Sequence, residues 1–552
     1  MAQAIIVGAG LAGLSAALTL ARQQIRCVLI SVQPSERAQS VLAEGGINGA
    51  LDTMGEQDTP QAHFDDTMRG GAQLADPDAV AGLTAAAPEI LRELAKLGVP
   101  FYRLGGVIQQ RNFGGQRKKR TAYAQSSTGR VIMTALTDAV RQHEAAGTVT
   151  RLAHHEMLRL LLHDGRCTGV RIRDLHSGAL CDLTGKVILC TGGMNGMFPS
   201  LTTGTVQNTG DAAAAAFMQG ALLANPEMLQ FHPTTVGIPG KRMLVSEAAR
   251  GEGGRLYVLR NGTPWYFMRE LHPALGDLSP RDVIAREMFR VRQMPECDPQ
   301  IFLDLTALDA DIWKNRLADL RAELIHWLEI DPQRTPVPVH EGIHYFMGGL
   351  DVDMHHRTAI PELWAAGECA CQYHGANRLG GNSMLGAIYG GKTAAQSLAG
   401  EALPEGDMTP FDGTEPYSAA ADPRLIAEIS GILTGALGIV RHAGTLQSAL
   451  DALSALRETR EYNARERARF AAAEAMLRGA LERRESRGAH FRSDFPAPDE
   501  AFRKTTVAAV QSGAVTVTFR DIAERRAADA NIPSDSAAGV STGAGGHADD
   551  PV

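Results

Sequence analysis

The sequence predicts an α/β chain in three parts: a Rossmann-like domain assembled from separated segments, an inserted α+β capping domain, and a C-terminal helical domain. Three observations carry this expectation. The N-terminus reads strand, glycine turn and apolar-periodic helix in AIIVGAGLAGLSAALTLARQQ. Two further strands end in glycine far downstream, KVILCTGG at 186–193 and LWAAGECA at 363–370, so one nucleotide-binding domain is expected to gather all three. Between about 229 and 345 the composition shifts towards Pro, Trp, His and paired acids and bases, as an insertion would. The expected bounds are 1–228 with 346–420 for the first domain, 229–345 for the cap and 421–525 for the helical domain. The last stretch, 526–552, is small and polar and is expected to be disordered.

Taken in order, AIIV, LAGLSAALTLARQQ and RCVLIS open a βαβ unit, with Gly8, Gly10 and Gly13 at GxGxxG spacing. The first glycine allows the tight turn, the second lets backbone approach a pyrophosphate, and the third lets the helix pack on the strand. Ser31 ends the second strand, where an acid for ribose hydroxyls is usual; a serine hydroxyl keeps both FAD and NAD open. Short alternating runs before residue 186 suggest a strand-rich insertion. GANRLGGNSMLGAIYGGKTAAQSLAG turns from glycine-rich loop to helix, and 423–486 carries charged, helical periodicity.

At 552 residues, 44% hydrophobic and 21% charged, the chain has room for about three or four domains. A net charge of -8 without a sustained basic stripe argues against nucleic acid as a partner. RKKR at 117–120 reads as a solvated surface loop. The seven cysteines include no CxxC pair, so neither a zinc nor an iron-sulfur site is expected, and their odd number argues against a disulfide framework. His355 and His356 are adjacent but have no acid cluster nearby, so no metal is expected there. The N-terminus lacks a basic lead-in, and no uncharged run reaches the roughly 20 residues of a membrane span. The expected compartment is a reducing cytoplasm.

Eight blocks give the chain a family likeness: RAQSVLAEGGINGAL, LQFHPTTV, SEAARGEGG, SPRDVIAREM, HYFMGGLDVD, AAGECA, HGANRLGGNSM and RRESRGAHFRSDFP. In content and order, over about residues 1–525, they resemble the flavoprotein subunits of fumarate reductase and succinate dehydrogenase, and their relative L-aspartate oxidase. The resemblance implies an FAD domain, a mobile cap and a hydride passing between flavin N5 and a C4 dicarboxylate, fumarate or succinate. It points to Ala9, Gly10, Gly13, Ser31, Ser40, Ala43, Glu44, Gly45, Gly46, Asp211, Glu368, Ser383 and Met384 for FAD, although Asp211 lies in TGDA where the family more often has TGDG. For substrate it points to His232, Ser246, His344 and Arg378, which suit a dianion because buried carboxylates need fixed donors. For proton delivery it points to Arg281, with Glu247 and Arg250 as a relay to solvent. Read alone, SPRD would be a helix start with a capping serine, Glu247 and Arg250 a surface i,i+3 pair, and RRESRGAH a structural segment or a partner contact.

Two departures sharpen the expectation. L-aspartate oxidases carry acids where this chain has Val131, Ile132 and Met133, so an ammonium-bearing substrate is disfavoured; L-aspartate oxidase and a non-catalytic FAD-binding protein remain the alternatives. Gln39 stands where membrane-bound relatives have a histidine bonded to the flavin, and His63 is too far along to replace it. FAD is therefore expected to be held non-covalently, with a bias towards fumarate reduction. The chain has no cysteine cluster or haem motif of its own, and the resemblance implies pairing with an iron-sulfur electron-transport subunit, in some relatives docked on a membrane anchor; a soluble enzyme using a small reductant is the alternative.

Overall fold

The three glycine-terminated strands meet in one parallel sheet. In the computed structural model, which describes residues 3–124 and 127–522, that sheet runs in the order Leu363–Ala365, Lys186–Leu189, Ala4–Val7, Cys27–Ser31, Val149–Ala153. Strand alternation assigns its two faces to two cores: Ile5, Val7, Val187 and Leu189 pack on one side, and Ala4, Ile6 and Ile188 on the other. Helices Leu11–Arg22 and Asn382–Ala399 pack against each other on the second side. The strand-rich insertion is an antiparallel sheet of His155–His163, Arg166–Asp174, Leu180–Thr184 and Met408–Pro410.

The inserted segment has its own six-stranded antiparallel sheet and its own core, with Leu256, Ile284, Ile301 and Val339 in it. Its entry strand, Leu229–Ile238, and its exit strand, Val337–Phe346, pair with each other, Leu229 opposite Phe346 and His232 opposite Gly342. The register slips on either side of His232, a bulge-like irregularity of the kind that re-aims side chains near active sites.

The C-terminal part departs from a wholly helical expectation. Helices Pro423–Ala436, Ala443–Arg457 and Ala464–Glu482 are present, but Lys504–Gln511 and Ala514–Asp521 form a hairpin that pairs with Leu223–Ala224 of the first domain. KTTVAAVQ and AVTVTFRD are rich in β-branched residues and flank the two-residue turn of Ser512 and Gly513, a hairpin signal masked by the helical pattern before it. The segment 526–552 lies outside the described residues.

Two charged runs sit deeper than their composition suggests. In RKKR, Arg120 is fully buried between Asp58, at 2.9 Å, and Asp66, at 3.0 Å. RRESRGAH is structural: Arg483, Glu485 and His490 are all 0% exposed, and Arg483 pairs with Glu227 at 2.7 Å and Glu485 at 2.9 Å. Among the described residues no helix is long and apolar enough to cross a membrane, and no group of three His, Cys, Asp or Glu side chains could hold a metal ion.

Candidate active site

A cavity of about 420 Å³ extends from the first glycine turn to the junction with the cap. Its place follows from the topology, since ligands of open α/β sheets bind beyond the carboxyl ends of the strands. Gly8 adopts φ +112°, and a Cβ on Gly13 would lie 1.8 Å from the Gly8 carbonyl oxygen, so the helix can seat on the turn only with glycine there. Of the residues expected for FAD, Ala9, Gly10, Ser31, Ser40, Ala43, Glu44, Gly45, Gly46, Asp211, Glu368, Ser383 and Met384 all line the cavity. Gly13 is not on the wall; it acts by letting the helix approach. Leu11 N–H at the helix start donates to Ser40 Oγ at 3.3 Å, tying the glycine turn to the 37–51 loop.

The lining fits a flavin dinucleotide. The end of the second strand, Ser31 to Gln33, with His155, Glu156 and Met157, forms the adenosine end by the usual rule of this fold. The glycine turn and helix N-terminus suit the phosphates, and Gly45, Gly46, Glu368 and Met384 adjoin the far end. Glu44 Oε2 is buried there without a hydrogen-bond partner, as in a site built for a polar ligand. Gln39 is on the wall, its Oε1 accepting from Thr205 N–H at 2.5 Å. His63 is not: it is buried elsewhere against Asn382 at 2.9 Å.

The far end gathers His232, Ser246, Glu247, Arg281, His344 and Arg378. The paired entry and exit strands bring the two histidine rings to a centroid separation of 5.1 Å. Thr203 Oγ1 lies 2.8 Å from His344 Nδ1, and Thr234 N–H donates to His232 Nδ1 at 3.3 Å. The Thr203 hydroxyl also reaches Ile343 O at 3.5 Å, so either tautomer of His344 fits, and His232 Nε2 is buried without a partner. Thr234 O lies 3.1 Å from His232 Nδ1 as well, so this nitrogen can donate to the carbonyl or accept from the amide, and the ring can present Nε2 in either tautomer. Ser246 caps the helix Glu247–Gly251 by accepting from Ala248 N–H at 3.4 Å, which leaves its own proton free for a ligand.

Arg281 opens the helix Arg281–Val291 behind Pro280, and no serine side chain caps it, unlike the local reading of SPRD. Its guanidinium donates to Glu247 Oε2 from Nε at 3.0 Å and Nη2 at 2.6 Å, and from Nη1 to Gln230 Oε1 at 2.9 Å. Glu247 Oε1 accepts from Gly114 N–H at 2.8 Å and lies 3.7 Å from Arg250. Glu247 and Arg250 are both 2% exposed, which removes the surface-pair reading. Arg250 stands behind Glu247, off the cavity wall, and donates to Asp277 O at 2.6 Å.

Burial, reinforced by the nearby arginines, holds His232 and His344 well below the usual histidine range, so both are neutral at neutral pH. Burial works to raise Glu247, but Arg281 and Arg250 outweigh it and leave the carboxylate below its ordinary value. Burial, with Arg281 adding, pushes Arg378 down to about 9, still cationic at neutral pH. Burial pushes Glu368 up to about 7, and burial with Glu323 and Asp319 lifts Glu44 well above the carboxylate range.

Several contributors had no local signal. Gln230 bridges the two arginines, accepting from the Arg281 guanidinium and donating to the Arg378 backbone carbonyl at 2.8 Å. Arg111 donates to Gly45 O at 2.5 Å and lies over the Tyr123 ring at 4.1 Å. Phe113, Leu244, Tyr345 and Arg465 also line the cavity. Val131, Ile132 and Met133 do not, and Ile132 and Met133 pack in the core of the first domain.

The comparisons agree with this geometry. Residues 3–384 match the family model described as FAD binding domain, and residues 427–532 that described as Fumarate reductase flavoprotein C-term. The chain is 36% identical over 550 residues to the succinate dehydrogenase flavoprotein subunit of Bacillus subtilis, covering 91% of this chain and 93% of that protein. It is 37% identical to the L-aspartate oxidase of Agrobacterium fabrum, covering 90% and 91%. An E. coli quinol fumarate reductase structure superposes with a TM-score of 0.82 at 27% identity, covering 94% of this chain and 96% of that one. With the dinucleotide cavity and the cationic far end already in place, the chain belongs to the fumarate reductase and succinate dehydrogenase flavoprotein family, relatives of the L-aspartate oxidases, and is an FAD-dependent oxidoreductase.

Proposed function

We propose that this protein interconverts fumarate and succinate, biased towards fumarate reduction, as a flavoprotein subunit holding FAD non-covalently. One observation carries the substrate assignment. At the far end of the cavity the polar side chains are two arginines, two neutral histidines and a serine, while the carboxylate of Glu247 has both oxygens taken up by Arg281 and Gly114 N–H. Burial raises both Glu44 and Glu368, which weakens either as a counter-charge for an ammonium. A dicarboxylate without an amino group therefore meets matched partners at both ends.

Bound FAD supplies the hydride-transferring group. The chain's own residues do the rest. Arg378 grips the carboxylates, with the His232 and His344 rings beside it, and Ser246 adds a hydroxyl. Arg281, fixed by Glu247 and Gln230, is placed to hand a proton to the carbon beside the one that takes the hydride, and Glu247 is placed to return it. Gln39 has no nucleophilic nitrogen for a flavin bond, which supports non-covalent binding. The seven cysteines are free thiols, so electrons are proposed to arrive through an iron-sulfur subunit; co-purified iron and labile sulfide would support that pairing.

L-aspartate oxidation is the second reading, favoured by the identity to the Agrobacterium protein and by the absence of Val131, Ile132 and Met133 from the cavity wall, which removes the argument built on them. Anaerobic titration of the reduced protein with fumarate, beside an assay for hydrogen peroxide and iminoaspartate from L-aspartate, separates the two. Flavin reoxidation by fumarate is expected, and robust turnover of L-aspartate would overturn the assignment. Acid or heat denaturation is expected to release all the flavin.

A further inference from the structure

The adenosine end of the cofactor cavity is closed by a side chain from a distant part of the sequence. Arg465, on the helix Ala464–Glu482, lines the cavity at 13% side-chain exposure. Its Nη1 and Nη2 each donate to Glu156 Oε2 at 3.1 Å, Nη1 lies 3.5 Å from Asp211 Oδ2, and Nη2 donates to Tyr417 O at 3.1 Å. Glu156 belongs to the antiparallel insertion sheet, Asp211 opens the helix Asp211–Met218, and Tyr417 lies on the approach to the helical domain. One guanidinium thus joins three separate segments at the cavity wall.

Two further features argue against an incidental surface contact. A cation in the first turn of a helix opposes the helix dipole, and this helix is already started by the capping box of Asn463 and Glu466, so Arg465 contributes nothing to its initiation. Glu156 and Asp211 also place two carboxylates on the wall of a cavity that receives a pyrophosphate. Arg173 and Arg469 pair with them from behind the wall, whereas Arg465 pairs with them on it; Arg37, the other cation at this end of the wall, pairs with neither.

We propose that Arg465 is a cofactor-positioning residue that neutralises Glu156 and Asp211 beside the adenosine diphosphate moiety, making FAD retention depend on docking of the helical domain. Because Glu156 keeps Arg173 and Asp211 keeps Arg469, Arg465→Ala retains a partner for each acid. The full-length protein, stripped of flavin, is titrated with FAD and with FMN, which lacks the adenosine. Arg465→Ala is expected to weaken FAD about 10- to 100-fold, the scale of a charge-assisted contact, and to leave FMN within about twofold. Arg457→Ala, which removes a half-exposed partner of Glu474 within the helical domain, is the control and is expected to leave FAD within about twofold. Arg465→Lys, keeping the charge, is expected to recover most of the FAD affinity. An unchanged FAD affinity in Arg465→Ala, equal losses for FAD and FMN, or a lysine variant as weak as the alanine one overturns the proposal.

Discussion

Arg281 is anchored on two sides before any substrate arrives: Glu247 takes its Nε and one terminal nitrogen, and Gln230 takes the other. On the proposed mechanism that clamp fixes the guanidinium for proton delivery, a role separable from the carboxylate binding proposed for Arg378, Ser246 and the two histidines. Arg281→Gln is expected to lower kcat for fumarate reduction by about 10²- to 10⁴-fold, the usual contribution of a positioned acid. The bound-flavin absorbance spectrum should be unchanged, and anaerobic turnover with a reduced dye makes the measurement. A second residue-scale effect lies outside the cavity. Burial, with Arg120 adding, holds His63 down at about 3 from an ordinary 6.5, so the folded protein keeps it neutral. Its stabilising share is full above pH 6.5 and is lost as pH falls towards 3, at about 1.4 kcal/mol per unit. Between pH 7.5 and 5.0 the wild-type protein should therefore lose about 2 kcal/mol more than His63→Gln in urea unfolding. Parallel losses in the two proteins would show that His63 is not the group responsible.

At the scale of elements, what positions the chemistry is the way segments meet. The helix Leu11–Arg22 packs so closely on its turn that Gly13→Ala forces a methyl onto the Gly8 carbonyl oxygen, 1.8 Å away. The helix must then lift, and its N-terminus leaves the phosphate site. A fall in stability of about 1–3 kcal/mol or more is expected, with loss of FAD on gel filtration, whereas an equally stable variant that keeps its full complement of FAD would contradict the packing argument. This turn was legible in the sequence because glycine spacing is a local signal. His232 and His344 were reached only through ordered blocks, and their meeting has a simple cause: they flank the cap on strands that pair as the chain enters and leaves it. Gln230, Arg111 and Arg465 were not legible. Each is a polar or charged residue in a segment that reads as ordinary, and its hydrogen-bond partners come from distant chain, as far as 148 positions away for Gln230, 66 for Arg111 and 309 for Arg465. The same cause hid the depth of Arg120, whose two acids lie more than 50 residues upstream. The hairpin after the last helix was missed because charged helical periodicity up to Glu482 was extended past the point where the pattern changes.

For the whole molecule the question is what holds the helical domain against the nucleotide domain, since Arg465 acts only while it is docked. The answer lies in RRESRGAH and the hairpin beyond it. Arg483, fully buried, donates to Glu227 Oε1 at 2.7 Å, Glu485 Oε1 at 2.9 Å, Thr506 Oγ1 at 2.7 Å and the carbonyls of Phe502 and Lys504. Glu227 comes just before the cap, Thr506 from the terminal hairpin, and Thr506 Oγ1 donates to the same Glu227 oxygen at 2.6 Å. A charge so placed makes a doubtful net contribution against an apolar core, because desolvation offsets most of the attraction, yet removing one partner strands the others. Arg483→Met should therefore cost about 3–5 kcal/mol in calorimetric or denaturant unfolding, since two buried carboxylates lose their shared cation. Adding Glu227→Met to it should recover part of that loss, because the cost arises from an uncompensated charge rather than from missing attraction. If the double variant is instead less stable than the single one by the full cost of a second buried substitution, Glu227 packs by shape and the network is not what couples the domains. If recovery is seen, FAD affinity in Arg483→Met should fall along with stability, because a loosened helical domain withdraws Arg465 from the adenosine end.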